Sequence, residues 1–146
     1  MDGFDIAESL EAGFDIEENL VRDVLVSGDE GDKLYASLYL LHHGLASRGE
    51  VEAIIHDNCD HDDICQAWLL TLEYIGGDVE VLGKAFKSEN ESELFLGTVA
   101  NLCPAFIRQD DISLVVQMLT PLQTYNGCLK DDILDVIERL NQRLLT

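Results

Sequence analysis

The densest group of chemically competent side chains is the run His56-Asp57-Asn58-Cys59-Asp60-His61-Asp62-Asp63-Ile64-Cys65. Within it His56, Cys59, His61 and Cys65 supply two imidazoles and two thiols, the ligand types of a tetrahedral zinc site. A zinc held there would contribute about 10 kcal/mol or more of apparent folding energy. Structural zinc sites usually join two ligand pairs on either side of a loop, however, and this set lies within a single loop. Cys65 also opens an apolar helical stretch, where a half-buried thiol is the ordinary outcome. The favoured reading is a polar loop whose aspartates cap the next helix, so no metal or other cofactor is expected. Calcium has still less support, because no EF-hand spacing with its central glycine is present.

His42-His43 closes the first long helical stretch, where positive charge complements the helix dipole, and one of the pair is expected to meet a carboxylate. A catalytic histidine needs a nucleophile and an orienting group, and the sequence places neither. No G-x-S-x-G, phosphate-cradling glycine loop or H-E-x-x-H occurs. Carboxylates abound, but acid–base catalysis requires two placed groups with separated pKa values. The chain is therefore expected not to be an enzyme.

The elements that must position these residues are helical. Of 146 residues, 47% are hydrophobic and only two are proline, which excludes intrinsic disorder and fits one domain, 1–146. Apolar residues recur at helical spacing: Leu34, Leu38, Leu41 and Leu45; Ile64, Ala67, Trp68, Leu72 and Ile75; Phe95, Val99, Leu102, Cys103 and Phe106; and Leu129, Ile133, Val136, Ile137, Leu140 and Leu144. Shorter stripes at Val51–Ile55, Val79–Phe86 and Ile112–Leu119 alternate with the long ones. Ser47 with Glu50 forms a capping-box pattern. Asp78 is placed to cap the helix from Val79, and Asp110-Asp111 the one from Ile112. Pro121 and Asn126-Gly127 mark stops. The longer stretches begin at Leu34, Ile64 and Leu94, thirty residues apart, and in that frame the small residues Ser37, Ala67 and Gly97 coincide. A period of this length signals stacked helical hairpins, here 34–58, 64–90 and 94–119, with a closing helix 129–146 and an acidic N-terminal cap 1–30. The expected fold is all-α.

Ile64 to Asn90 resembles a HEAT-like repeat of the short phycobilisome-lyase type, through Ala67, the turn Leu72-Glu73-Tyr74-Ile75-Gly76-Gly77-Asp78-Val79, and the pair Leu82 and Phe86. Residues 34–58 are a looser copy and 94–119 looser still, with Pro104 where related repeats kink. The resemblance implies an α-α superhelix with a concave face. Such arrays mostly bind proteins and share no catalytic residues; the bilin lyase activity the repeat type suggests has no residue-level support here.

A local repeat precedes the array: Gly3-Phe4-Asp5-Ile6-Ala7-Glu8-Ser9-Leu10 is nearly copied by Gly13-Phe14-Asp15-Ile16-Glu17-Glu18-Asn19-Leu20. Two short amphipathic turns packed on the first hairpin are expected, with a docking segment for a partner as the alternative.

Charge supplies the functional direction. There are 29 acidic and 9 basic residues, a net charge of −20, and residues 1–32 alone hold eleven acids against one base, Arg22. Clustered Lys and Arg for direct nucleic-acid binding are lacking, no apolar run approaches the roughly 20 residues of a membrane span, and the acidic start is unlike a signal peptide. With four cysteines and no secretory leader the expectation is a cytoplasmic protein, monomeric when free. Solubility with helix capping and adaptation to a high-salt proteome are two plain accounts of the acidity. A third is a surface for a basic protein partner, whose encounter it would accelerate. The leading expectation is an immunity protein that occludes the active site of a basic toxin nuclease, and HEAT-like members occur among such proteins. Glu50, Glu52, Asp57, Glu80, Asp135 and Glu138 are the expected contacts. The alternatives are an acidic chaperone or scaffold for a basic client, which needs an apolar track beside the acidic face, and a zinc-binding protein using 56–65.

Overall fold

Asp2 and Asp29 each start a helix by the same exchange of hydrogen bonds. The Asp2 carboxylate accepts from the Asp5 N–H at 2.9 Å while the Asp5 carboxylate accepts from the Asp2 N–H at 3.0 Å. Asp29 and Asp32 repeat the exchange at 2.8 and 3.2 Å. Each box satisfies two N–H groups and sets negative charge at the positive end of the helix dipole. The helices so begun are α1 (Gly3–Ala12) and α3 (Glu30–His42), with α2 (Glu18–Ser27) between them. The computed structural model describes residues 2–59, 62–87, 98–99, 104–124 and 129–145. It continues with α4 (Arg48–Asn58), α5 (Asp62–Ile75), α6 (Glu80–Lys87), α7 (Ile112–Leu119) and α8 (Leu129–Leu144), plus 3-10 turns at Gln109–Asp111 and Thr120–Thr124. The fold is all-α, and among the described residues there is no strand and no helix long and apolar enough to cross a membrane.

The two copies of the N-terminal repeat fold differently, not as two short turns: residues 3–10 lie wholly within the ten-residue α1, whereas residues 13–20 are linker through Glu17 and enter α2 only at Glu18. Gly13 ends α1 at φ 79°, a left-handed conformation that costs glycine little. The linker that follows is held from a distance. The buried Tyr39 hydroxyl accepts from the Ile16 N–H at 2.7 Å and donates to the Ile16 carbonyl at 3.2 Å, so one side chain pairs both backbone groups of a residue 23 positions away. The first hairpin likewise starts earlier than expected, at Glu30, because the Asp29 box lies upstream of the apolar stripe.

Neighbouring helices pack in sequence: α1 and α2 on α3, α3 on α4, α4 on α5, α5 on α6, α6 on α7, and α7 on α8. Two helices each serve two cores. Leu34 and Leu38 of α3 join Val51, Ile55, Trp68, Leu72, Ala105 and Phe106, whereas Ala36, Tyr39 and Leu40 of α3 join Ile6, Val21 and Val24. On α5, Trp68 and Leu72 face that first group, while Ala67 and Tyr74 face Leu82, Phe86, Val115, Ile133 and Leu140. Burial on two sides fits the near-continuous apolar character of α3 and α5. Ser37 and Ala67, aligned by the thirty-residue frame, are both fully buried; Gly97 lies outside the described residues, as do Leu94 and the Asn126-Gly127 turn.

At Ser47 one half of the expected capping box forms, its Oγ accepting from the Glu50 N–H at 3.2 Å, and Asp78 caps as expected, its Oδ1 accepting from the Glu80 N–H at 3.1 Å. Capping departs from the sequence at Asp111. That residue precedes α7 without a side-chain cap, because its carboxylate instead accepts from the Tyr74 hydroxyl at 2.7 Å and Arg108 Nε at 3.0 Å. A charge-assisted bond to a guanidinium outweighs a cap bond to one solvent-accessible N–H.

Tyr39→Phe leaves both Ile16 backbone groups without their protein partner, and should destabilise the fold by about 1–2 kcal/mol. The midpoint of urea unfolding measures this; an unchanged midpoint would mean that the linker is not anchored through Tyr39.

Candidate partner-binding surface

The helix α4 carries Glu50, Glu52 and Asp57, α6 carries Glu80 in its first turn, and α8 carries Asp135 and Glu138; all six side chains are exposed. They fall into two groups. Glu50, Glu52, Asp57 and Glu80 lie on the helices that flank α5, whereas Asp135 and Glu138 lie on α8, which packs mainly against α7 and the 3-10 turn before it. Two of the six meet a neighbour on their own helix: Glu52 lies 3.9 Å from His56 Nε2, and Asp135 lies 3.6 Å from Arg139.

A further acidic surface lies on α1, within the acidic N-terminal segment but apart from the six expected contacts. Asp5, Glu8, Ser9, Glu11, Ala12 and Phe14 line an open groove of about 500 Å³ on α1, and Phe14 is 70% exposed. Its signal in the sequence was the spacing of Asp5, Glu8 and Ala12 opposite the fully buried Ile6, which puts one side of α1 inward and the other outward.

The counterpart of this acidic exterior is the placement of the arginines. Arg22 pairs with Glu18 at 3.6 Å and donates to the Leu45 carbonyl at 3.0 Å. Arg48 forms an ion pair with Glu73. Arg108 donates to Asp111 and to the Tyr74 carbonyl, with its guanidinium 4.3 Å from the centre of the Tyr74 ring. Arg139 grips both oxygens of Glu11, at 3.1 and 2.5 Å. Arg143 donates to the carbonyls of Pro104 and Ile107, each at 2.9 Å. All five arginines of the chain are thus engaged internally, and most of the carboxylates outnumbering them face solvent.

Between α4 and α6 runs a second groove, of about 640 Å³, lined by Arg48, Glu52, Gln66, Leu69, Leu70, Leu72, Glu73, Val81 and Lys84. Its floor is one stripe of α5. Gln66, Leu69, Leu70 and Glu73 are spaced as a helix face, and α4 and α6 each pack on α5 rather than closely on one another. The floor is more apolar than the flanking surfaces because Leu69 and Leu70 also lean on two different cores.

Of the candidate zinc ligands, the three described ones occupy two different surroundings. His56 is exposed on α4 beside Glu52. Cys59 and Cys65 are half-buried and pack against the core of Leu34, Leu38, Val51 and Trp68. His61 lies outside the described residues, and among the described residues no three His, Cys, Asp or Glu side chains converge as metal ligands do. His42 and His43 end α3 as expected, but their neighbours are aromatic and cationic. The two rings meet edge-to-face at 5.2 Å, and His43 lies 4.2 Å from the Tyr39 ring. Burial first, then His43 and Arg108, lowers the His42 pKa, so the neutral imidazole rather than a dipole-stabilised cation is favoured at this helix end.

The Tyr74 hydroxyl, besides donating to Asp111, accepts from the Arg108 N–H at 2.9 Å. Burial, foremost, raises its pKa, and burial likewise raises that of Tyr35. The cluster therefore anchors the stretch before α7 to α5; with its groups mutually bonded, it has the form of a structural clamp.

No family model, curated protein or solved structure matches the chain.

The pKa shifts set the pH dependence of stability. Tyr74 and Tyr35 keep their protons in the fold when the unfolded chain has begun to lose them, so stability falls as pH rises past about 10. His42 acts at the other side: the unfolded chain takes up its proton near pH 6.5 while the fold resists it, so stability falls as pH drops through about 6.5. Urea midpoints across this range should show Tyr74→Phe with a shallower alkaline slope and His42→Gln with a shallower one between about pH 7 and 5.5. Slopes identical to those of the unaltered protein would contradict the assigned environments.

Proposed function

We propose that the chain is an acidic protein-binding module that neutralises a basic protein partner, with an immunity protein blocking a toxin nuclease as its most specific form. The observation that carries this is the internal engagement of all five arginines in a chain of net charge −20. With each guanidinium already paired within the chain, the net negative charge of the exterior raises the local concentration of a cationic partner and repels acidic competitors. Inhibition would be steric and electrostatic: exposed carboxylates of α4 and α6, with those of α1 or α8, pair with the lysines and arginines a nuclease presents to its phosphate backbone. The helical scaffold, which we place with the HEAT-like arrays, serves this role by holding the carboxylates on rigid elements.

The groove over α5 favours a second reading, a chaperone or scaffold for a basic client, because its leucine floor supplies an apolar track beside acidic helices. The readings differ in what is bound: a folded domain in the first, a client segment in the second.

Co-expression with the product of the adjacent open reading frame, followed by size-exclusion chromatography and a growth assay, tests the proposal. A stoichiometric complex that rescues cells from a toxic neighbour is expected. Its affinity should fall at least tenfold between about 50 and 500 mM salt, as screening contracts the Debye length to a few ångströms. A complex indifferent to salt would remove the acidic exterior as the binding face, and a neighbour neither toxic nor bound would remove the immunity reading.

A further inference from the structure

We propose that the groove between α4 and α6 seats one amphipathic helix of a partner protein, with the helix's basic edge along α4 and its acidic edge along α6. The inference rests on the protein-binding reading above and names a site and a chemistry for it. Three features carry it. An apolar strip runs along the groove: Leu69 and Leu70 of the floor, set between Gln66 and Glu73, and Val81 of the α6 wall are partly open to solvent above fully packed cores, which is what the apolar face of a helix requires. The walls are helices, and among the described residues there is no strand whose edge an extended peptide could pair with. A helical occupant satisfies its own backbone groups, whereas an extended one would leave them to side chains.

The third feature is charge on the two rims. On the α4 side Arg48 is neutralised by Glu73, which leaves Glu52 as the outward charge, held only by the 3.9 Å approach of His56. On the α6 side the charge that lines the groove is Lys84, one turn beyond the exposed Glu80, which lies outside the lining. In a chain of net charge −20, a lysine facing a glutamate across an apolar strip marks a place where a uniformly basic ligand is not the best complement. A helix with cations on one edge and carboxylates on the other meets both rims, and the asymmetry fixes which way it points.

The probes are three synthetic helical peptides sharing one leucine face: one with a lysine edge and a glutamate edge, one with lysine on both edges, one with glutamate on both. Binding is followed by anisotropy, and by methyl chemical shifts of Leu69, Leu70 and Val81 in the intact chain. The mixed-edge peptide should bind tightest and shift all three residues. Lys84→Glu, an exposed change that spares the core, should weaken it about threefold to fivefold, the scale of one exposed ion pair, and transfer the preference to the lysine-edged peptide. Glu52→Lys should transfer it to the glutamate-edged one. Absence of methyl shifts at about 1 mM peptide, or equal affinity for all three peptides, overturns the proposal. If the lysine-edged peptide binds the unaltered chain best and its shifts fall on α1, groove docking fails while the acidic-exterior reading stands. If the mixed-edge peptide seats as described but the adjacent-frame complex does not form, the groove stands and the immunity reading fails.

Discussion

Arg139 on α8 reaches Glu11 on α1 across 128 residues of chain and holds both of its carboxylate oxygens. The same residue type closes other joins: Arg143 clamps the carbonyls of Pro104 and Ile107 to α8, Arg108 ties the approach to α7 onto Tyr74, and Arg48 links α4 to α5. In a chain with net charge −20, self-repulsion opposes every such approach. A planar, five-donor guanidinium suits the task, since it bonds carboxylates in pairs and bridges carbonyls that a lysine would meet with a single point charge. Exposed pairs of this kind contribute little singly. Their effect here lies in which segments they join, because they hold the first helix, the last helix and the segment between Pro104 and Asp111 to the central hairpins.

Pairing the arginines within the chain leaves an exterior dominated by carboxylates. Carboxylates of α1, α4, α6 and α8 face solvent, and any protein that meets this surface meets mostly negative charge. The helix α5 modulates the picture. Its inner faces bridge two cores through Trp68 and Leu72 on one side and Ala67 and Tyr74 on the other, and its remaining stripe floors the groove between α4 and α6. Rigidity beneath and an open apolar strip above come from the same helix. A strip carried on a packed helix is preorganised, which is the arrangement that lowers the entropic cost of a docking event.

Packing sets the surroundings of the described candidate ligands between 56 and 65. Four ligand types close together in sequence are compatible with zinc, yet the end of α4 and the start of α5 turn Cys59 and Cys65 toward the core of Leu34, Leu38 and Trp68 and leave His56 outside beside Glu52. A thiol contributes to that core as a small apolar group. His42 shows the same principle: a helix C-terminus alone favours the imidazolium, but burial and the nearby cations favour the neutral ring.

What the sequence by itself determined was whatever depends on neighbours within a turn or two. Apolar residues at helical spacing located helices at 34–45, 51–55, 64–75, 79–86, 112–119 and 129–144, close to the observed ones except that α3 stops at His42 and leaves Leu45 beyond it, 41% exposed, and aspartates or serines one to three positions upstream placed several of their starts. Local physics is legible because its period and its caps are written in consecutive residues. Tertiary structure alone decided which side chain each charged or polar group meets. Asp111 looks like a cap and bonds Tyr74 and Arg108; Tyr39 looks like a core residue and holds Ile16; Glu11 looks like one acid among eleven and meets Arg139 from the far end of the chain. Such pairings join residues tens of positions apart, and a charge or hydroxyl accepts many partners with similar energy, so only the packed arrangement of helices selects one.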